Sequence, residues 1–251
     1  MVIRQEQMQA FSVVMEKNFQ LQLVKEMREF APWHAGVLGD SGLLRCVQFA
    51  IQRAKQYAFT NRGPIRLYLQ MIFLLGADFD SDPLLPWASE VLSNPLIANQ
   101  TDRVTYLYEG LGEYLKHVAG PDNKFAKEAL VRARDELSGG QGGGGEDFRQ
   151  MIFDKMRRVY PEKCAYAGDA AVQKSIQLGI SAAARHSAAT NRGASLFCGL
   201  IFALGHGFET DPHLPWIHKT LQDSALTEDR LVERLSSRVK TYLDYVLANV
   251  R

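Results

Sequence analysis

The stretch TNRGPIRLYLQMIFLLGADFDSDPLLPW, residues 60–87, returns as TNRGASLFCGLIFALGHGFETDPHLPW, residues 190–216. Between Leu75–Trp87 and Leu204–Trp216, 8 of 13 positions are identical at a constant offset of 129. The same offset carries Phe19, Met27, Pro32, Gly39 and Asp40 onto Phe148, Met156, Pro161, Gly168 and Asp169, and it slips by one residue at TNRG. Separated identities at one spacing point to a tandem duplication. Its period is far above the 20–50 residues of solenoid repeats, so each copy is a domain or half-domain. The organisation expected is a first helical repeat over 1–118, a helix and Gly-rich linker over 119–147, and a second helical repeat over 148–251.

The linker assignment rests on SGGQGGGGED, with six glycines between Gly139 and Gly145. Such a run holds no regular element, because every glycine loses unusual backbone freedom on ordering. The segment before it carries Phe125, Ala129, Leu130 and Ala133 at helical spacing behind Pro121 and Asp122, which reads as one surface helix. Within each copy the pattern is helical throughout, and neither alternating β-branched runs nor Asn-Gly or Asp-Gly hairpin signals occur. The fold class expected is all-α, with about five helices per half: 3–30, 41–59, 64–75, 83–93 and 101–118, then 146–159, 169–188, 194–205, 212–223 and 227–249. IRLYLQMIFLL and ASLFCGLIFAL are apolar nearly all round, so they are expected to be central helices that pack against each other about a pseudo-twofold axis.

The repeated motif invites a structural reading first. Asn and Gly of TNRG suit the left-handed turn that ends a helix. Asp82-Pro83 and Asp211-Pro212 suit an N-cap followed by proline at the first helical position. Phe79, Trp87, Phe208 and Trp216 are placed to pin the loop by burying aromatic area. Arg62 and Asp82 recur as Arg192 and Asp211, and each pair is expected to join two loops as a bidentate ion pair.

Catalytic and metal readings are weaker. DFDSD, Asp78–Asp82, has acids at alternate positions. An EF-hand loop, however, needs Gly at its sixth position and Glu at its twelfth, where Pro83 and Ser89 stand. A general acid–base pair is possible only through Asp82 and Asp211, the acids that recur. His206, His213 and His218 occur in the second copy alone, opposite Ala77, Leu84 and Ser89, and lack the i, i+4 spacing of a helical zinc pair. Cys46, Cys164 and Cys198 are scattered and odd in number, which suits core residues in a reducing compartment. The expectation is a chain with no catalytic residue, no cofactor and no metal. A net charge of +1 gives no reason to expect nucleic acid. No apolar stretch reaches the roughly 20 residues that span a bilayer, and the N-terminus does not read as a signal peptide, so a cytoplasmic protein is expected.

The two quoted segments resemble small accessory proteins encoded in bacterial type VI secretion effector clusters, beside spike proteins and their adaptor chaperones. The resemblance covers about a fifth of the chain. It implies a non-enzymatic chaperone or adaptor that binds a secreted effector or a spike-associated protein, or an immunity protein that neutralises a toxin. The alternative from another class is a hydrolase or metalloenzyme using the Asp78–Asp82 or His206–His218 loops.

Overall fold

The computed structural model describes residues 5–138 and 147–249; the Gly-rich stretch assigned to a linker lies outside them. Among the described residues the chain is all-helical, with no strand. The helices are α1 (Gln5–Phe30), α2 (Pro32–Gln56), α3 (Arg62–Leu75), α4 (Pro86–Ser93), α5 (Gln100–Tyr114), α6 (Lys124–Ser138), α7 (Phe148–Val159), α8 (Pro161–Ala167), α9 (Asp169–Arg185), α10 (Asn191–Leu204), α11 (Pro215–Leu221) and α12 (Glu228–Asn249). A π-helical turn, Leu115–Ala119, and a 3-10 turn, Pro121–Asn123, join α5 to α6.

Elements 129 residues apart pair off in order. Gly39 inside α2 has φ 61°, and Gly168 between α8 and α9 has φ 82°. Both break the helix in a left-handed conformation that only glycine adopts freely. The pieces before them, starting at Pro32 and Pro161, were not expected to be helical. Proline at the first helical position gives up no hydrogen bond and presets φ, so each piece starts there.

Three local expectations fail. The left-handed turn before TNRG is held by Ala58 (φ 57°) and Ser187 (φ 53°), not by Asn or Gly. Asp82 and Asp211 do not cap helices: α4 and α11 begin at Pro86 and Pro215, with Leu85 and Leu214 as cap residues. The two carboxylates instead accept the amides of Leu84 and His213, two residues on, each at 2.8 Å. This Asx turn delays the helix. The central helices α3 and α10 also do not pack flank to flank. α3 lies on α1, α2 and α5, and α10 on α7, α9 and α12. They meet tail to tail, where a Cβ on Gly76 would come within 2.6 Å of the Leu204 carbonyl oxygen.

The core has three parts. Leu23, Met27, Leu43, Tyr68, Leu69 and Phe79 anchor the first half. Phe197, Leu200, Phe208, Ile217 and Leu235 anchor the second. The third crosses between them, seating Leu84 among Ile152, Phe153, Met156, Cys164 and Phe202. Burial pushes the Cys46 and Cys198 thiols up to about 12 and Cys164 to about 11, so all three behave as small apolar groups. No helix among the described residues is long and apolar enough to cross a membrane.

Candidate functional site

The loops after α3 and α10 exchange contacts. Asp82 Oδ2 accepts the His206 amide at 3.1 Å, and Asp211 Oδ2 accepts the Ala77 amide at 3.1 Å. Residues 77 and 206 are 129 apart, so the two bonds are reciprocal. Both carboxylates are 3% exposed. Each therefore turns its own loop with one oxygen and holds the opposite loop with the other. The residue two positions on completes the exchange: Leu84 enters the core of the second half, and the His213 ring meets Phe73 of the first at 4.1 Å, edge to face. Similarly matched are His34 and Lys163. His34 lies near Phe73, and Lys163 donates to the Phe202 carbonyl at 2.6 Å, with its ammonium 5.2 Å from that ring.

The expected ion pairs do not form. Arg62 and Arg192 are exposed. The Arg62 guanidinium sits over the Phe19 ring at 5.2 Å, while Asp82 and Asp211 are taken up by backbone amides and histidines. Trp87 packs beside Tyr114, and Trp216 beside Tyr242. The arginine that does meet the acidic loop is Arg53. Its Nη2 lies 2.5 Å from Asp80 Oδ1 and 2.9 Å from Asp78 Oδ1. Tyr57 and Tyr68 donate to Asp80 Oδ2 at 2.9 and 2.5 Å. A cation and two hydroxyls thus occupy Asp80, and the same cation reaches Asp78.

His206, His213 and His218 are separated in the same way. His206 faces Asp82, His213 Nδ1 lies 2.8 Å from Asp211 Oδ1, and His218 Nδ1 lies 3.1 Å from the Glu209 carbonyl. Among the described residues no three His, Cys, Asp or Glu side chains group as a metal site. Ser81, His206 and Asp82 do converge, with Ser81 Oγ 3.4 Å from His206 Nε2 and His206 Nδ1 3.6 Å from Asp82 Oδ2. Ser81 Oγ also donates to Asp80 at 3.2 Å.

A cavity of about 480 Å³ lies behind the crossed loops. It reaches from His34, Phe73 and His213 to Lys163, with α10 on one side and α6 on another. Gly199 and Ala203, in the middle of an apolar helix, are exposed towards it.

Electrostatics at the crossing are uneven. Burial and the neighbouring His213 hold His34 down to about 4, against the pull of Asp211. Burial alone would raise Asp82, but His206, Lys163 and the Leu84 amide outweigh it and hold the carboxyl below its ordinary value. His206 is raised, since Asp82 with Asp78 and Asp80 behind it outweighs burial. A raised histidine stabilises fully below its unfolded value of 6.5 and loses that contribution only as pH climbs through its folded value. His34 has the opposite sign. Between pH 6.5 and about 4 the unfolded chain binds a proton there that the folded chain does not. Stability should therefore fall by about 1–2 kcal/mol over that window, after allowing for partial exposure. Urea unfolding at stepped pH measures it, and His34→Leu should flatten the slope. An unchanged slope in that variant would assign the acid limb to other groups.

Sequence reasoning missed Arg53, Tyr57, Tyr68, His34 and Lys163. His34 and Lys163 had a readable signal, since each lies two residues after a matched proline. Arg53 and the tyrosines had none, because Arg53 in α2 and Tyr68 in the apolar α3 read as ordinary helix positions and Tyr57 as the residue that ends α2. No protein-family model, curated protein or solved structure matches the chain.

Proposed function

We propose that this chain is a non-enzymatic protein-binding factor whose docking element is the N-terminal arm of α1. The observation that carries this reading is an apolar stripe that no described residue covers: Met8, Phe11, Val14 and Met15 are all exposed, Phe11 by 67%. The arm precedes Phe19, the first residue of α1 that enters the core. Among the described residues α7 begins at Phe148, 129 residues after Phe19. Fourteen helical residues extend about 21 Å, enough to lie in an apolar groove of a partner protein. Glu16 and Lys17 leave the stripe nearly neutral, so the groove it fits is apolar rather than charged.

The matched elements and reciprocal loop bonds support descent from a duplicated half, with the Gly-rich stretch as the join. The resemblance of the repeated segments to effector-cluster accessory proteins favours a cytoplasmic chaperone or adaptor, and an immunity protein is the second form of the same reading. Coexpression with candidate effectors encoded beside its gene is the test. Phe11→Asp with Met15→Asp should leave helicity and melting temperature unchanged and remove copurification. A chaperone would keep the effector soluble, and an immunity protein would block its toxicity. Copurification surviving the double variant would overturn the docking role of α1. A concentration-dependent dimer abolished by Phe11→Asp would replace the partner with a second copy of this chain.

A further inference from the structure

We propose that the cavity behind the crossed loops binds an aliphatic monocarboxylate, its head on the Lys163 ammonium and its chain along α10. This goes beyond the docking role of α1 and rests on none of its residues.

Lys163 lines the cavity as a cation without a counterion. Among the described residues its ammonium donates to one acceptor, the Phe202 carbonyl at 2.6 Å, and forms no ion pair. An ammonium carries three donors, so two are left over. Burial outweighs the pull of Asp82 and Cys164 and holds the Lys163 pKa below its ordinary value. The residue nevertheless keeps accessible surface, and the cavity is the space it lines. A charge held this deep calls for an opposite charge with oxygens that accept its hydrogen bonds.

The carboxylates already in the walls are engaged elsewhere. Asp82 accepts the Leu84 and His206 amides, and Asp211 accepts the Ala77 and His213 amides. Glu136 pairs with Lys155 at 2.9 Å, which also accounts for the other lysine of the lining. His34, matched to Lys163, is held down to about 4 and is neutral at neutral pH. Among the charged side chains of the lining, the unfilled capacity is thus donor capacity on Lys163.

The remaining walls suit an alkyl chain. Ser195, Gly199 and Ala203 follow one another at four-residue steps on the face of α10 that lines the cavity. The residues 129 positions earlier on α3 are Arg66, Gln70 and Leu74. Small side chains on α10 therefore leave room beside Lys163. The volume, about 480 Å³, falls in the roughly 300–1,000 Å³ range of small-molecule sites.

The test is calorimetric titration of the full chain with decanoate, 1-decanol and decylamine at neutral pH. Wild type should bind decanoate at one site, about 10-fold more tightly than decanol, with decylamine weakest. Lys163→Met keeps the aliphatic stem without the charge; it should bind decanol as wild type does and lose the preference for decanoate. Gly199→Leu projects a side chain where nothing lies within 4 Å; it should fold as stably as wild type and lose decanoate and decanol alike. Phe11→Asp with Met15→Asp should leave decanoate binding unchanged, which separates this site from the arm of α1. The proposal is overturned by the absence of decanoate binding to folded wild type, by decanol or decylamine binding as tightly as decanoate, or by a preference that survives Lys163→Met. Binding that survives Gly199→Leu, or that is lost in the α1 variant, would place the ligand elsewhere and overturn it too.

Discussion

Alanine in place of Asp80 should lower the free energy of unfolding by about 4–5 kcal/mol, against about 1–2 for alanine in place of Glu209, the residue at the matched position. The Asp80 side chain is 0% exposed and takes four donors: Arg53, Tyr57, Tyr68 and Ser81. Removing it strands the buried Tyr68 hydroxyl and the partly buried Tyr57 hydroxyl, and leaves Arg53 with Asp78 alone. Each unsatisfied buried group costs roughly 1–3 kcal/mol, more when charged. Glu209 meets Arg185 and His186 at 3.1 Å each, and Arg185 is more than half exposed, so water replaces much of what is lost. Asp80→Asn keeps the shape and one acceptor and should fall between the two. Urea unfolding of the three variants gives the ranking. An Asp80→Ala protein within 1 kcal/mol of wild type would mean that the loop does not depend on this cluster.

That contrast marks where the sequence was legible. The all-helical class could be read because each helix states its own period: Leu231, Leu235 and Val239 line one face of α12 and are buried there. The loops could not, because their partners are remote. Asp82 followed by Pro83 has the local form of a cap, yet its second oxygen binds an amide 124 residues away. Arg62 recurs and Arg53 does not, so recurrence drew attention to the exposed arginine rather than the one that holds Asp80. The arm of α1 is the opposite case, since Met8, Phe11 and Met15 are spaced like a core face yet stay exposed. The cavity left one trace in the sequence: Ser195, Gly199 and Ala203 are smaller than Arg66, Gln70 and Leu74, the residues 129 positions earlier.

The second large effect is expected at the crossing of the two loops. Asp211→Ala should destabilise by about 4 kcal/mol. The carboxylate accepts the Ala77 amide, the His213 amide and His213 Nδ1, and it is 3% exposed, so three donors lose their partner away from water. Asp82→Ala removes the acceptor of the Leu84 and His206 amides and should cost about 3 kcal/mol. Arg62→Ala, which loses only an exposed stacking contact with Phe19, should cost less than about 1 kcal/mol. The informative quantity is the coupling. Asp82 and Asp211 never touch in this scheme, but each holds the loop that carries the other. Gly76 and Gly205 lie between them, with a Cβ on Gly205 reaching 3.3 Å from Asp82 Oδ2. Once one bond is lost the loops can part, and the second carboxylate has less left to hold. The double variant should therefore fall short of the sum by at least about 1 kcal/mol, outside the few tenths expected of independent sites. Strict additivity would show that the two loops are held separately, each by its own half.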